Sequence, residues 1–143
     1  YDIMDAIKEK DAFLATGHIS PEESLILCRE GRKRGVNMIL THPEFPRTRI
    51  GRDDQAELAK LGVVIEKNWF NLAQKSVMPE EMAETIRTVG SGHVYLATDR
   101  GQKGAPTPVS ELKRFIAVRL TCGIAEAQIR DMVQKVPEEV VCR

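Results

Sequence analysis

The sequence predicts a parallel α/β domain, and three observations predict it. Short apolar runs recur, each ending in residues suited to chemistry: Ala12 to Ala15 runs into Thr16-Gly17-His18, Asn37 to Leu40 into Thr41-His42-Pro43-Glu44, and Val94 to Ala97 into Thr98-Asp99. Helix-start signals stand between these runs. The interval also repeats, with 24 residues from His18 to His42 and 24 more to Glu66. Strands alternating with helices at such spacing imply parallel pairing through right-handed crossovers. The chain reads as four strand-then-helix units and a trailing helix, in one domain spanning 1–143. A complete (β/α)8 TIM barrel takes about 250 residues, so this length suits about half of one.

Tyr1 to Lys10 places Ile3, Ala6 and Ile7 on one helical face, as expected for the end of a helix packed on a sheet. The first strand follows and ends at His18. Ser20-Pro21-Glu22-Glu23 is a helix start: Ser is a good N-cap, Pro suits the first helical position, and Glu three after the cap completes a capping box. That helix is expected to turn Leu25, Ile26 and Cys28 inward and to end near Gly31 or Gly35. The His42 strand is followed by a long loop, Pro43 to Gly51, and a helix from about Asp53 to Leu61 with Ala56, Ala59 and Leu61 inward. Gly62 stops it. Val63 to Glu66 reads as the third strand, with Lys67 to Asn71 as a rim loop.

Pro79 opens a helix whose Met82, Ile86 and Val89 recur at helical spacing, and Gly90 to Gly92 end it. The fourth strand carries Asp99. Arg100-Gly101-Gln102-Lys103-Gly104 is a polar loop of the kind that closes over a ligand. Thr107-Pro108 caps a helix with Leu112, Phe115, Ile116 and Leu120 inward, Gly123 breaks it, and Ile129, Met132, Val133 and Val136 mark a last one. Phe13, Leu14, Ile39, Leu40, Val64, Ile65, Tyr95 and Leu96 are expected to line an inner face that four more strands, or a partner sheet, would cover.

Lys+Arg 21 balances Asp+Glu 21, so no global field selects nucleic acid or a membrane surface as partner, and a small-molecule substrate is expected instead. Cys28, Cys122 and Cys142 are odd in number without CxxC spacing, which suits reduced thiols in a cytoplasmic protein. No apolar run approaches a membrane span of roughly 20 residues, and no signal peptide opens the chain. A start at Tyr1, without an initiator Met, suggests a fragment or processed piece.

A divalent metal that activates water needs imidazoles and a carboxylate converging on one point with a position left open. His18, His42 and Asp99 supply that set at strand ends, where parallel α/β folds build their sites. Each motif alone more often marks a hydrogen-bonded structural group; their joint appearance argues for a site. His93 precedes its strand and belongs to the opposite rim. Glu66, Lys67 and Asn68 either reach the site or are loop groups, and Trp69 and Phe70 either wall a pocket or pack in the core. The cluster from Arg29 to Arg34 complements a helix C-terminus. No Gly-x-Gly-x-x-Gly or P-loop supports a nucleotide-binding sheet.

Thr16-Gly17-His18, Thr41-His42-Pro43 and Thr98-Asp99 resemble strands five, six and eight of the amidohydrolase superfamily of metal-dependent hydrolases. Glu44 and Arg100-Gly101-Gln102 resemble one of its amidohydrolase-like branches. The resemblance implies the C-terminal half of a (β/α)8 barrel, a divalent metal such as Zn2+, and hydrolysis of an amide, ester or related bond by metal-activated water. It makes His18 and His42 metal ligands and Asp99 both a ligand and the group that handles the proton of the attacking water. Glu44, Lys67, Arg100 and Gln102 are the candidate substrate-binding residues. The first-strand His-x-His pair and the fourth-strand bridging Lys or Glu of that superfamily have no counterpart here. The alternative is a non-catalytic half-barrel or binding module, and on either reading the expected partner is the missing barrel half or a second copy in a homo-oligomer.

Overall fold

The computed structural model describes residues 2–142. Strands β1 (Phe13–Ala15), β2 (Asn37–Leu40), β3 (Val64–Asn68) and β4 (Val94–Ala97) form one sheet in the order β1-β2-β3-β4, with every pair parallel. Helices alternate with them: α1 (Asp2–Glu9), α2 (Pro21–Lys33), α3 (Arg52–Lys60), α4 (Trp69–Ala73), α5 (Pro79–Val89) and α6 (Pro108–Thr121). The trailing helix is interrupted, running through α7 (Glu126–Arg130), a π turn (Asp131–Lys135) and α8 (Val136–Val141). A strand order that never reverses is singly wound. Right-handed crossovers then put successive helices on the same side.

The two faces of the sheet are unequal. Leu14 pairs with Met38, Leu40 with Ile65, and Ile65 with Val94, which sets these side chains on one face. They join Cys28, Leu58, Met82, Ile86 and Phe115 from the helices in the hydrophobic core. On the other face lie Phe13, Ala15, Ile39, Val64, Glu66, Tyr95 and Ala97, where Ala15 is exposed and Phe13, Val64, Tyr95 and Ala97 are only half-buried. This corrects the expected inner face, which mixed the two sides. Alternation along each strand sends Leu14, Leu40, Ile65 and Leu96 to the helices and leaves Phe13, Ile39, Val64 and Tyr95 on the open face. Val136 and Val140 of α8 border a cleft with Phe13, Asn37 and Val64, so the trailing helix crosses the N-terminal end of that face.

Local signals account for the helix starts. Ser20 accepts from the Glu23 N–H at 3.2 Å while the Glu23 carboxylate accepts from the Ser20 N–H at 3.0 Å, a complete capping box. Thr107 accepts from the Ser110 N–H at the start of α6, with Pro108 in the first position. The stops are glycines with positive φ, Gly35 after α2 and Gly90 after α5. Several inward expectations need correction. Ile3, Ile26, Leu61 and Leu120 are exposed, at 73, 62, 44 and 43%. Met4, Ser24, Leu58 and Arg119 are buried instead: in α1 and α6 the contact stripe lies one residue from the expected one, and Leu61 falls beyond the end of α3 as its C-cap. The rim loop expected from Lys67 to Asn71 is structured: β3 continues to Asn68, whose side chain accepts from the Phe70 N–H and starts α4.

The cluster from Arg29 to Arg34 is engaged within the fold. Arg29 pairs with Glu57, Arg32 donates to the Leu61 and Val36 carbonyls, and Arg34 pairs with Asp5. Cys28, Cys122 and Cys142 are free thiols, and burial pushes Cys28 up to about 12. Among the described residues no helix is long and apolar enough to cross a membrane.

Candidate functional site

Three strand ends share one backbone feature. β1, β2 and β4 are each followed by a threonine and then by a residue in the left-handed region: Gly17 at φ 62°, His42 at φ 47° and Asp99 at φ 49°. A side chain there costs about 1–3 kcal/mol, and such residues persist where the surrounding structure enforces them, often at functional sites. The first two turns are laced together: Thr16 Oγ1 accepts from the Thr41 N–H at 3.0 Å, and Thr41 Oγ1 accepts from the Gly17 N–H at 3.3 Å. This lacing brings the His18 and His42 rings to a centroid separation of 5.2 Å, with Phe45 edge-on to His18.

His42 is held by residues from β3. Asn68 Oδ1 accepts from the Phe70 N–H at 2.8 Å, which fixes the amide so that Nδ2 points 3.0 Å from His42 Nδ1 and donates to Glu66 Oε1 at 3.2 Å. Glu66 Oε1 also lies 3.4 Å from His42 Nδ1. Burial pushes the Glu66 carboxyl above the usual range, the Asp99 charge adds to the rise, and His42 together with hydrogen bonds from Asn68 and Tyr95 opposes it. Burial and the Glu66 carboxylate likewise raise the Tyr95 phenol. Since the folded state holds the Glu66 proton more tightly than the unfolded chain does, this group's contribution to stability falls as pH rises past the ordinary carboxylate range.

Two imidazoles on one tetrahedral ion, at metal–nitrogen distances of about 2.0–2.1 Å, have centroids about 5 Å apart. The His18–His42 centroid separation matches that figure, though the two rings are stacked with 24° between their planes, and His42 Nε2 has no hydrogen-bond partner among the described residues. Asp99 is close enough to raise Glu66, yet among the described residues no three His, Cys, Asp or Glu side chains gather as a metal-holding group. The described residues therefore bring two imidazoles together and leave the expected third ligand, Asp99, outside any such group.

The four expected substrate-binding residues divide. Lys67 has no exposed surface; it donates to Glu44 Oε1 and, at 2.6 Å, to Gln55 Oε1, while Gln55 Nε2 donates to the Ile50 carbonyl. Burial lowers the Lys67 pKa and the Glu44 charge opposes the fall. Lys67 pairs in register with Leu96 on the helix side of the sheet, so it and Glu44 brace the fold behind the rim rather than facing solvent. Arg100 stays at the rim, pinned by Glu111, and Gln102 is exposed, with Nε2 3.4 Å from the Asp99 carbonyl. His93 lies in a short 3-10 turn before β4, at the opposite end as expected. Asn68, one of the strand-end residues expected either to reach the site or to be a loop group, reaches His42; the Tyr95 contact with Glu66 and the role of Glu111 escape sequence reasoning, since the Trp69–Glu111 bond alone joins residues 42 apart. A cavity of about 450 Å3 beside Glu44, Arg49, Arg52 and Glu81 includes none of His18, His42 or Asp99.

Residues 1–66, just under half of the 143-residue chain, are similar to a family of unknown function (DUF6282), a stretch that contains His18, His42 and Glu66. No curated protein and no solved structure matches the chain.

Proposed function

We propose that this chain is the C-terminal half of a (β/α)8 barrel and that its strand-end rim is the metal-binding part of a metal-dependent hydrolase of the amidohydrolase type, acting on an amide, ester or related bond of a small molecule. The observation that supports this reading is the positive φ shared by the residues that follow the strand-end threonines after β1, β2 and β4, His42 and Asp99 among them, with the His42 ring against His18. His18 and His42 would hold a divalent ion, most simply Zn2+, whose chemistry is to polarise the scissile group and make water acidic. The residues have separable tasks. His42 Nε2 would give its lone pair to the ion only in the tautomer protonated on Nδ1, which Glu66 Oε1 at 3.4 Å favours and the Asn68 amide nitrogen at 3.0 Å opposes, so binding the ion would turn that amide aside. Asp99 accepts the proton of the attacking water. Three free thiols suit a reducing cytoplasm.

Metal analysis tests the reading. Purified protein should carry about one equivalent of a Zn2+-like ion, and His18→Ala/His42→Ala should lose it, because a borderline metal needs its imidazoles. Equal metal content in the two proteins would remove the hypothesis.

A second reading, a non-catalytic half-barrel that pairs with another chain or itself, is favoured by the open face with Phe13, Val64 and Tyr95 half-buried. Large side chains left uncovered forgo about 1.5–3 kcal/mol each, and the outer edges of β1 and β4 invite pairing. On both readings the isolated chain should associate at micromolar concentration in light scattering. Association without metal would favour the module, and a stable monomer would count against the half-barrel.

A further inference from the structure

Arg100 is gripped from two sides. Its guanidinium carbon lies 5.5 Å from the centroid of the Phe70 ring, and its buried Nε makes an ion pair with Glu111 Oε2 at 3.3 Å without the alignment of a hydrogen bond. Glu111 is itself fixed: it is 2% exposed, accepts from Trp69 Nε1 and pairs with Arg114 at 3.1 Å. The Arg100 side chain is 16% exposed. Its Nη1 and Nη2 have no hydrogen-bond partner among the described residues and are not among the buried, unpartnered atoms, so they are the part that meets solvent. One carboxylate faces two guanidinium groups here, leaving a positive charge uncompensated. The stem comes from the loop after β4, the platform from α4 and the carboxylate from α6, so the fork is held by three parts of the chain at the edge that carries His18, His42 and Asp99.

A guanidinium fixed through Nε and one face presents its two terminal nitrogens as a ready fork, the geometry that binds a planar or tetrahedral oxyanion through two parallel hydrogen bonds. Holding the fork beforehand removes much of the ordering cost of binding. From this we infer that Arg100 is an oxyanion receptor and that the substrate of the rim bears a carboxylate or phosphate. This rests on the hydrolase reading for the word substrate, and on the Arg100 geometry alone for the anion. Glu111, Phe70 and Trp69 position the fork without touching the ligand.

Amide NMR of the full chain, stripped of metal and held at constant ionic strength, tests the receptor with acetate, inorganic phosphate and methylammonium as probes. Both anions, or whichever of the two fits the fork, should shift the Phe70, Arg100 and Gly101 amides saturably, and methylammonium should not. Arg100→Gln should weaken the anion by about tenfold or more, and Arg100→Lys by less, since it keeps the charge and loses the fork. Lys60→Gln, at the exposed end of α3, should leave the affinity unchanged. Spectral dispersion reports whether each variant is folded; should Arg100→Gln unfold, Arg100→Lys carries the comparison. No saturable shift in the wild type, or equal affinity in the wild type and the folded Arg100 variants, would overturn the assignment. Because metal is absent, failure of the metal analysis leaves this titration standing. Failure of the titration with metal-binding intact removes only the anion.

Discussion

Lys67→Met should destabilise the fold by about 3–5 kcal/mol, the usual loss when one member of a buried ion pair is removed. Lys67 has no exposed surface, and its ammonium is the donor to Glu44 Oε1. Glu44 Oε2 is already buried without a partner, so the variant would leave a whole carboxylate at 5% exposure with no cation bonded to it. Against a total stability of about 5–15 kcal/mol, that is a large fraction. The double variant Glu44→Gln/Lys67→Met removes both charges and should recover most of the loss, giving a strong coupling in a double-mutant cycle. Urea unfolding read by circular dichroism decides it. A Lys67→Met protein within about 1 kcal/mol of wild type would show that the pair contributes little beyond its neighbours.

Asp99→Asn should lower turnover by roughly 10²-fold or more, the scale of losing a general base, while leaving metal content intact. Asparagine suits this test because it keeps the side chain's shape and tolerates the left-handed backbone that Asp99 adopts at φ 49°. The amide cannot accept the proton of the attacking water as a carboxylate does. His42→Ala, by contrast, should lose metal and turnover together, so the pair of variants separates proton handling from ion binding. The assay is hydrolysis of whichever compound an ester and lactone screen identifies. Unchanged turnover in Asp99→Asn would end the role assigned to it.

Much of the architecture was legible because the signals were local. Ser20, Pro21 and Glu23 carry their capping box within four residues, and the strand-ending Thr-His and Thr-Asp pairs are contiguous. What escaped depends on phase and distance. Continuing β3 by two residues sends Lys67 to the helix side and Glu66 and Asn68 to the other, a swap that no composition rule foresees. Arg119 displaced Leu120 from the core because its guanidinium finds the Pro79 carbonyl at 3.1 Å, a partner 40 residues away. Only Gly17, of the three left-handed strand ends, announces its conformation by residue type, and His42 and Asp99 do not; beside His42 the lacing of Thr41 to Thr16 and Gly17 holds the strand end, a contact made across 24 and 25 residues.

Those two strained positions also bear on any effort to harden the protein against heat. Glycine relaxes a left-handed backbone at little steric cost, so a library sieved for thermal tolerance alone would tend to enrich glycine at positions 42 and 99. The survivors would be sturdier and stripped of an imidazole and a carboxylate at the rim. A campaign of that kind needs a binding or turnover screen run in parallel, with 42 and 99 held fixed.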